Sequence, residues 1–319
     1  MKVPKFSGIT TILPQLKICL TIFLLYLLSS YIDWQSFSRQ FADFRFWDLV
    51  ALILFLLIAI VFYAIRWVII VKSICGRHAS AHAIFATYFE SLIFAIMTPG
   101  GLGGDAYRVS QAAKFDASKT NIVSSIIVEK VGGFFFFAGC AVLFLGRINI
   151  RDGDFFFLLF LFLLFFIILV VFPEFIFRGL ARVFSIFPEN RFSMFFLESF
   201  SEINEFLQAP SSSFYFFSLS LVCLVLYAFG VGSISSSLGC DWSFFDMLML
   251  LGFIEVVRQL PITVQGVGLR EGLFSMYATN LWGWSFEQGI LISGLFYVFI
   301  TLVFGGIGGL FMFRASFRS

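Results

Sequence analysis

Two stretches of the chain set charged side chains beside backbone that cannot remain helical. The first is Thr98-Pro99-Gly100-Gly101-Leu102-Gly103-Gly104-Asp105, followed by Arg108. The second is Pro261-Ile262-Thr263-Val264-Gln265-Gly266-Val267-Gly268-Leu269-Arg270-Glu271. Each carries a proline followed by glycines, and together they read as two copies of one device. Arginine's planar fork suits phosphate, and the free amides of a broken helix end add donors to the same anion. A neighbouring carboxylate, Asp105 or Glu271, suits a cationic or hydroxyl-bearing group. The combination points to a zwitterionic or sugar-bearing phospholipid head group rather than a metal ion. The competing reading makes these residues charged loop positions at a wet interface.

Six more ionisable residues, Arg66, Glu90, Glu129, Lys130, Glu255 and Arg258, sit within apolar runs. An ionisable group there is expensive unless it faces a cavity or a partner, so each is a candidate for the same site. Glu255 and Arg258, at i and i+3, can also simply pair and lock a helix. Glu129 and Lys130 are adjacent, so they point to different faces and cannot neutralise one another. Arg66 and Lys72, near a helix end, are expected to snorkel.

Composition says what surrounds these residues. Of 319 residues 60% are hydrophobic and 13% charged, with 49 Phe and a mean hydropathy of +0.98. That usage belongs to an all-α polytopic integral membrane protein. Apolar runs at 16–32, 47–71, 121–146, 155–172, 214–238 and 286–313 approach or exceed the roughly 20 residues that cross a bilayer as helix. The first follows Lys2, Lys5 and Lys17 as a signal peptide would. No small-residue cleavage site follows it, and Tyr31-Ile32-Asp33-Trp34 has the character of an interfacial end, so it is expected to remain.

Two shorter apolar runs, 82–99 and 243–261, lead into the breaks. If these also span, with the N-terminus cytoplasmic, Lys and Arg divide nine inside and nine outside, which explains no orientation. If they dip in and return, the division is twelve against four with Arg108 and Arg270 set apart. The charge rule therefore predicts six spanning helices plus two re-entrant hairpins, both termini cytoplasmic. Span, hairpin and span over 47–146 then match those over 214–313 from the opposite face. This is an inverted-topology repeat within a single transmembrane domain, 1–319. Between the halves, 188–208 forms an amphipathic pattern that lies in the membrane interface or packs on the protein's own loops.

Other signals exclude more than they add. Cys19, Cys75, Cys140, Cys223 and Cys240 lack paired spacing, and His78 and His82 lack further ligands, so neither a disulfide framework nor a metal site is expected. The glycines do not form a dinucleotide fingerprint, no Walker motif occurs, and no cofactor is expected. A formal charge of +2 gives no reason to expect a nucleic-acid partner. Gly305 and Gly309 satisfy the small-xxx-small pattern of close helix packing.

The run from Pro99 to Arg108, then Glu129-Lys130, then the run from Pro261 through Gly266, Gly268, Arg270 and Glu271 to Gly272, resembles the lysylphosphatidylglycerol synthase transmembrane region family. These are flippase-like membrane proteins that also form the N-terminal half of the multiple peptide resistance factor. The family's usual Glu-Arg is Glu129-Lys130 here, which keeps the charge and loses the fork. The resemblance implies a lipid-translocating domain in a bacterial or archaeal cytoplasmic membrane. In larger relatives a soluble domain attaches lysine to phosphatidylglycerol. This chain ends at Ser319, just after its last span, and that chemistry is not expected of it.

The expectation is thus a lipid flippase rather than an enzyme. Asp105, Arg108, Glu129, Arg270 and Glu271 would contact the head group of an aminoacyl-phospholipid or a polyprenyl-phosphate-linked lipid. Pro99, Gly100, Gly101, Gly103, Gly104, Pro261, Gly266 and Gly268 would shape the backbone, and Glu90, Lys130, Glu255 and Arg258 would stand behind. The rivals are a membrane-embedded lipid-modifying enzyme using Glu129 or Glu271 as base, and an accessory subunit for a lipid-modifying partner enzyme.

Overall fold

A computed structural model describes residues 9–42, 44–76, 79–98, 101–149, 206, 209–259 and 262–316. The expected span 155–172, the segment 188–208 apart from Phe206, and Pro99, Gly100 and Pro261 lie outside the described residues. Those described form ten α-helices and no strand. They are α1 (Ile9–Tyr31), α2 (Trp34–Ala42), α3 (Phe46–Cys75), α4 (Ala81–Met97), α5 (Leu102–Ser110), α6 (Lys119–Asn149), α7 (Pro210–Ser237), α8 (Phe244–Gln259), α9 (Leu269–Trp282) and α10 (Phe286–Ser316).

Four stretches are long and apolar enough to cross a membrane: Phe46–Cys75, Lys119–Ile148, Ser211–Ser237 and Phe286–Ala315. Ile18–Tyr31 and Trp34–Phe41 would make a fifth as a pair, but they meet at 90°. The turn is set by Asp33, whose carboxylate accepts the Gln35 amide at 3.0 Å and caps α2. The chain is a polytopic all-α membrane protein.

Local chemistry fixes the ends of these helices. The Ser80 hydroxyl accepts the Ala83 amide at the start of α4. Ser285 and Gln288 cap α10 reciprocally, Gln288 N to Ser285 Oγ at 3.2 Å and Ser285 N to Gln288 Oε1 at 2.8 Å. Gly283, with φ of +71°, ends α9 in the left-handed conformation.

Packing follows an exchange between the halves. α3 and α7 lie antiparallel along their length: Arg45 N donates to Ser237 Oγ at 2.8 Å at one end, and Arg66 Nη1 to Ser220 Oγ at 2.9 Å toward the other. α4 runs antiparallel to α10, with Phe89 stacked on Phe311 and Ile93 against Gly308. α8 runs antiparallel to α6, with Arg147 near the end of α6 bonded to Asp246 near the start of α8 at 3.5 Å and Cys140 against Gly252. The helix before each break therefore lies on the last helix of the other half. Glycine makes both approaches possible: a Cβ on Gly252 would stand 2.3 Å from that of Cys140, and one on Gly308 would stand 2.7 Å from the Ile93 nitrogen.

Candidate functional site

The first break is a folded hairpin. The Thr98 hydroxyl donates to Phe94 O at 2.9 Å and accepts Gly103 N at 2.7 Å, bridging the end of α4 to the start of α5. Gly101 turns the chain with φ of +73°. α5 then runs back along α4: Gly104 faces Ser91 and Ala95, and Tyr107 stacks on Phe94 at 4.8 Å. A side chain on Gly103 or Gly104 would collide with α4 main chain, which explains the glycines.

This return carries Arg108 inward to α6. Its Nη1 lies 2.6 Å from Glu129 Oε2 and its Nη2 3.3 Å from Asp105. The other Glu129 oxygen takes Arg66 Nη2 at 3.3 Å, and Lys130 turns the other way, to Asp105 at 2.5 Å. Arg66, Arg108 and Glu129 are 5%, 9% and 7% exposed, so this is a buried network. Its members come from α3, α5 and α6. Aromatic faces hold the two arginines, Tyr63 and Phe216 for Arg66, Trp67 and Tyr88 for Arg108. Glu90 accepts the Tyr107 hydroxyl at 2.7 Å and faces Lys114 at 3.8 Å.

The snorkelling expected of Arg66 does not occur. It turns into the protein because Glu129 and Ser220 meet it there, giving more than a distant interface could.

The second break builds a second cluster. Glu271 Oε2 accepts the amide of Gly268 at 2.7 Å, capping α9, while Oε1 takes Arg270 Nε at 2.6 Å. Arg270 lies 3.8 Å over the Tyr297 ring and donates to Gln265 O at 3.3 Å. Tyr297 donates to Glu255 at 3.3 Å, and the other Glu255 oxygen binds Arg258 at 2.7 and 2.9 Å. The Glu255 and Arg258 pair is the i, i+3 lock foreseen from spacing. α1 supports this break, because Thr21 Oγ1 accepts Val264 N at 2.9 Å and Leu24 fills the space beside Gly268.

The two breaks touch. Gln265, with φ of +53°, donates its side-chain amide to Ile96 O at 3.3 Å and Thr98 O at 3.4 Å, capping the end of α4 from the opposite half. Sequence reasoning passed over Gln265 and Tyr297, since neither is charged, and a lone polar Gln before Gly266 was the signal for the first. Behind the contact, Tyr63, Tyr227, Phe296 and Tyr297 form a run of rings 6.0, 5.3 and 5.0 Å apart from one cluster to the other.

Arg108 and Arg270 stand each nine residues beyond its proline. Each is held by carboxylate: Asp105 and Glu129 bind Arg108, with Lys130 on the far oxygen of Asp105, while Glu271 binds Arg270. Such an arrangement can exchange one anion for another without stranding a buried cation. Among the described residues no three His, Cys, Asp or Glu side chains gather to hold a metal ion. A comparison with curated proteins gives no match. The family described as Lysylphosphatidylglycerol synthase TM region matches residues 15–309. With the match running over nearly the whole chain and both arginine-bearing breaks inside it, the protein belongs to the lysylphosphatidylglycerol synthase transmembrane region family.

Proposed function

We propose that the protein is a lipid translocase that carries a phosphate-bearing head group between the two broken hairpins while the lipid's chains stay in the bilayer. The observation that carries this reading is the contact of Gln265 with the end of α4. It joins the two breaks inside the protein, each with a nearly buried arginine close behind it. Irregular backbone at membrane depth is tolerated where it is buried in protein or lines a cavity. Family membership supports a role in lipid modification or translocation, and the translocase reading goes one step further.

The antiparallel exchange of α4 and α8 between the halves supports an inverted-topology repeat with re-entrant hairpins, over 47–146 and 214–313. Alternating access then follows from rocking one half against the other. Arg108 and Arg270 bind phosphate; Asp105, Glu129 and Glu271 hold those arginines between ligands and meet the cationic or hydroxyl part of the head group. The lipid is an aminoacyl-phospholipid or a polyprenyl-phosphate-linked one. The positive-inside count supports both termini on the cytoplasmic side, and the family resemblance supports the cytoplasmic membrane of a prokaryote.

Chemistry and transport are separated by one experiment. Purified protein is reconstituted with head-group-labelled lipids, and both lipid mass and leaflet distribution are followed. Redistribution at unchanged mass is expected; a change of mass would favour the membrane-embedded enzyme, and neither change would favour an accessory subunit.

A further inference from the structure

Glu129 is one carboxylate serving two arginines, Arg66 at 3.3 Å through Oε1 and Arg108 at 2.6 Å through Oε2. Both cations lie against rings: Arg66 is 4.8 Å from the Tyr63 centroid, Arg108 5.0 Å from that of Trp67. These faces hold the guanidiniums whatever anion they meet. The donors outnumber what the carboxylate accepts, because Arg66 Nε, Arg108 Nε and Trp67 Nε1 are buried with no hydrogen-bond partner. A buried polar group left unpaired costs about 1–3 kcal/mol; two of these donors belong to the arginines that share Glu129 and the third to the ring beneath Arg108, so an occupant with more oxygens has donors available to it. A carboxylate has two, a phosphodiester has two free ones, and a phosphomonoester or diphosphate has three or more.

We propose that Glu129 is a resident stand-in for the ligand's anion, displaced from Arg66 and Arg108 by a lipid whose head group carries a phosphomonoester or diphosphate. This rests on the translocase reading and names its substrate class. The extra oxygens take the unpaired Nε donors, and the return of Glu129 to the arginines releases the lipid. Neither arginine is left uncompensated at any stage. Ser220 on Arg66 and the Asp105 and Lys130 pair beside Arg108 stay in place to keep the cations positioned.

The test uses the full chain in phosphatidylcholine nanodiscs, with thermal unfolding and binding followed against dioctanoyl phosphatidic acid, dioctanoyl phosphatidylcholine and inorganic phosphate. Wild type is expected to be stabilised by the phosphatidic acid alone. Glu129→Gln is expected to melt below wild type without it and to bind it about tenfold more tightly, since the competing carboxylate is gone. Affinity equal to or weaker than wild type overturns the stand-in, and equal stabilisation by inorganic phosphate overturns the lipid as ligand. Should Glu129→Gln not fold, Glu129→Asp, whose shorter side chain carries a carboxylate that reaches the two arginines less well, is expected to bind about threefold more tightly; no gain there has the same meaning. Leaflet transfer by wild type is scored separately. Transfer without a gain in affinity sinks only the stand-in, whereas no transfer of any lipid sinks the translocase reading.

Discussion

Gln265 and Thr98 stand 167 positions apart in the chain and are joined by one hydrogen bond, side-chain amide to main-chain carbonyl at 3.4 Å. The same amide reaches Ile96 O at 3.3 Å, so a single side chain fastens one break to the helix that ends at the other. Its backbone sits at φ of +53°, a conformation that costs a non-glycine residue of order 1–3 kcal/mol and persists where surrounding structure enforces it. Gln265→Ala is expected to keep that strain and lose the fastening, raising amide hydrogen exchange at Gly101 and Gly103. Gln265→Gly loses the fastening and relieves the strain, so it is expected to be the more stable of the two. Unchanged exchange in Gln265→Ala would mean that the side chain does not hold the breaks together, and the reverse order of stability would mean that the backbone at 265 is not strained.

The exchange of helices between halves depends on two glycines. Gly252→Val and Gly308→Val are each expected to destabilise the protein by about 1–3 kcal/mol, the usual penalty of overpacking, because a Cβ at either position meets Cys140 or the α4 main chain. Gly294→Ala, where nothing lies within 4 Å, is the control and is expected to melt like wild type. Thermal unfolding in detergent reads all three.

Arg66→Lys preserves charge and would be harmless if Arg66 merely reached toward an interface. Buried between Glu129 and Ser220, it is instead expected to destabilise the protein, because a lysine cannot span both partners at 3.3 and 2.9 Å. Removing the charge in Arg66→Met should cost more, about 3–5 kcal/mol, as breaking one side of a buried pair does. Wild-type unfolding of Arg66→Lys would return Arg66 to the snorkelling role.

Arg270→Lys tests the second cluster. Arginine's flat guanidinium lies 3.8 Å over Tyr297 while binding Glu271 and Gln265 O, and an ammonium cannot match that combination. Transport is expected to fall at least about tenfold while the protein stays folded, since Glu271 still caps α9 through Gly268. Unchanged transport would remove Arg270 from the site.

Much of this is legible in the sequence alone. Helices α3, α6, α7 and α10 follow from apolar runs, and the different faces taken by Glu129 and Lys130 follow from adjacency alone. The charged candidates were found because an ion in an apolar run stands out. What could not be read was which ion met which: Arg66 was judged by its distance from a helix end, whereas its partners come from α6 and α7. Gln265 and Tyr297 were missed because their roles exist only across the interface of the two halves. The bend into α2 was half visible, as Asp33 beside Trp34 marked an end, yet nothing nearby announced a short helix beyond it.

The most direct measurement is the rate at which a head-group-labelled lipid changes leaflets in proteoliposomes, for wild type and for the double variant Arg108→Ala, Arg270→Ala. The translocase account predicts transfer by wild type and its loss in a double variant that still elutes as a folded protein. Equal transfer by the two proteins, or none by a well-folded wild type, would contradict it.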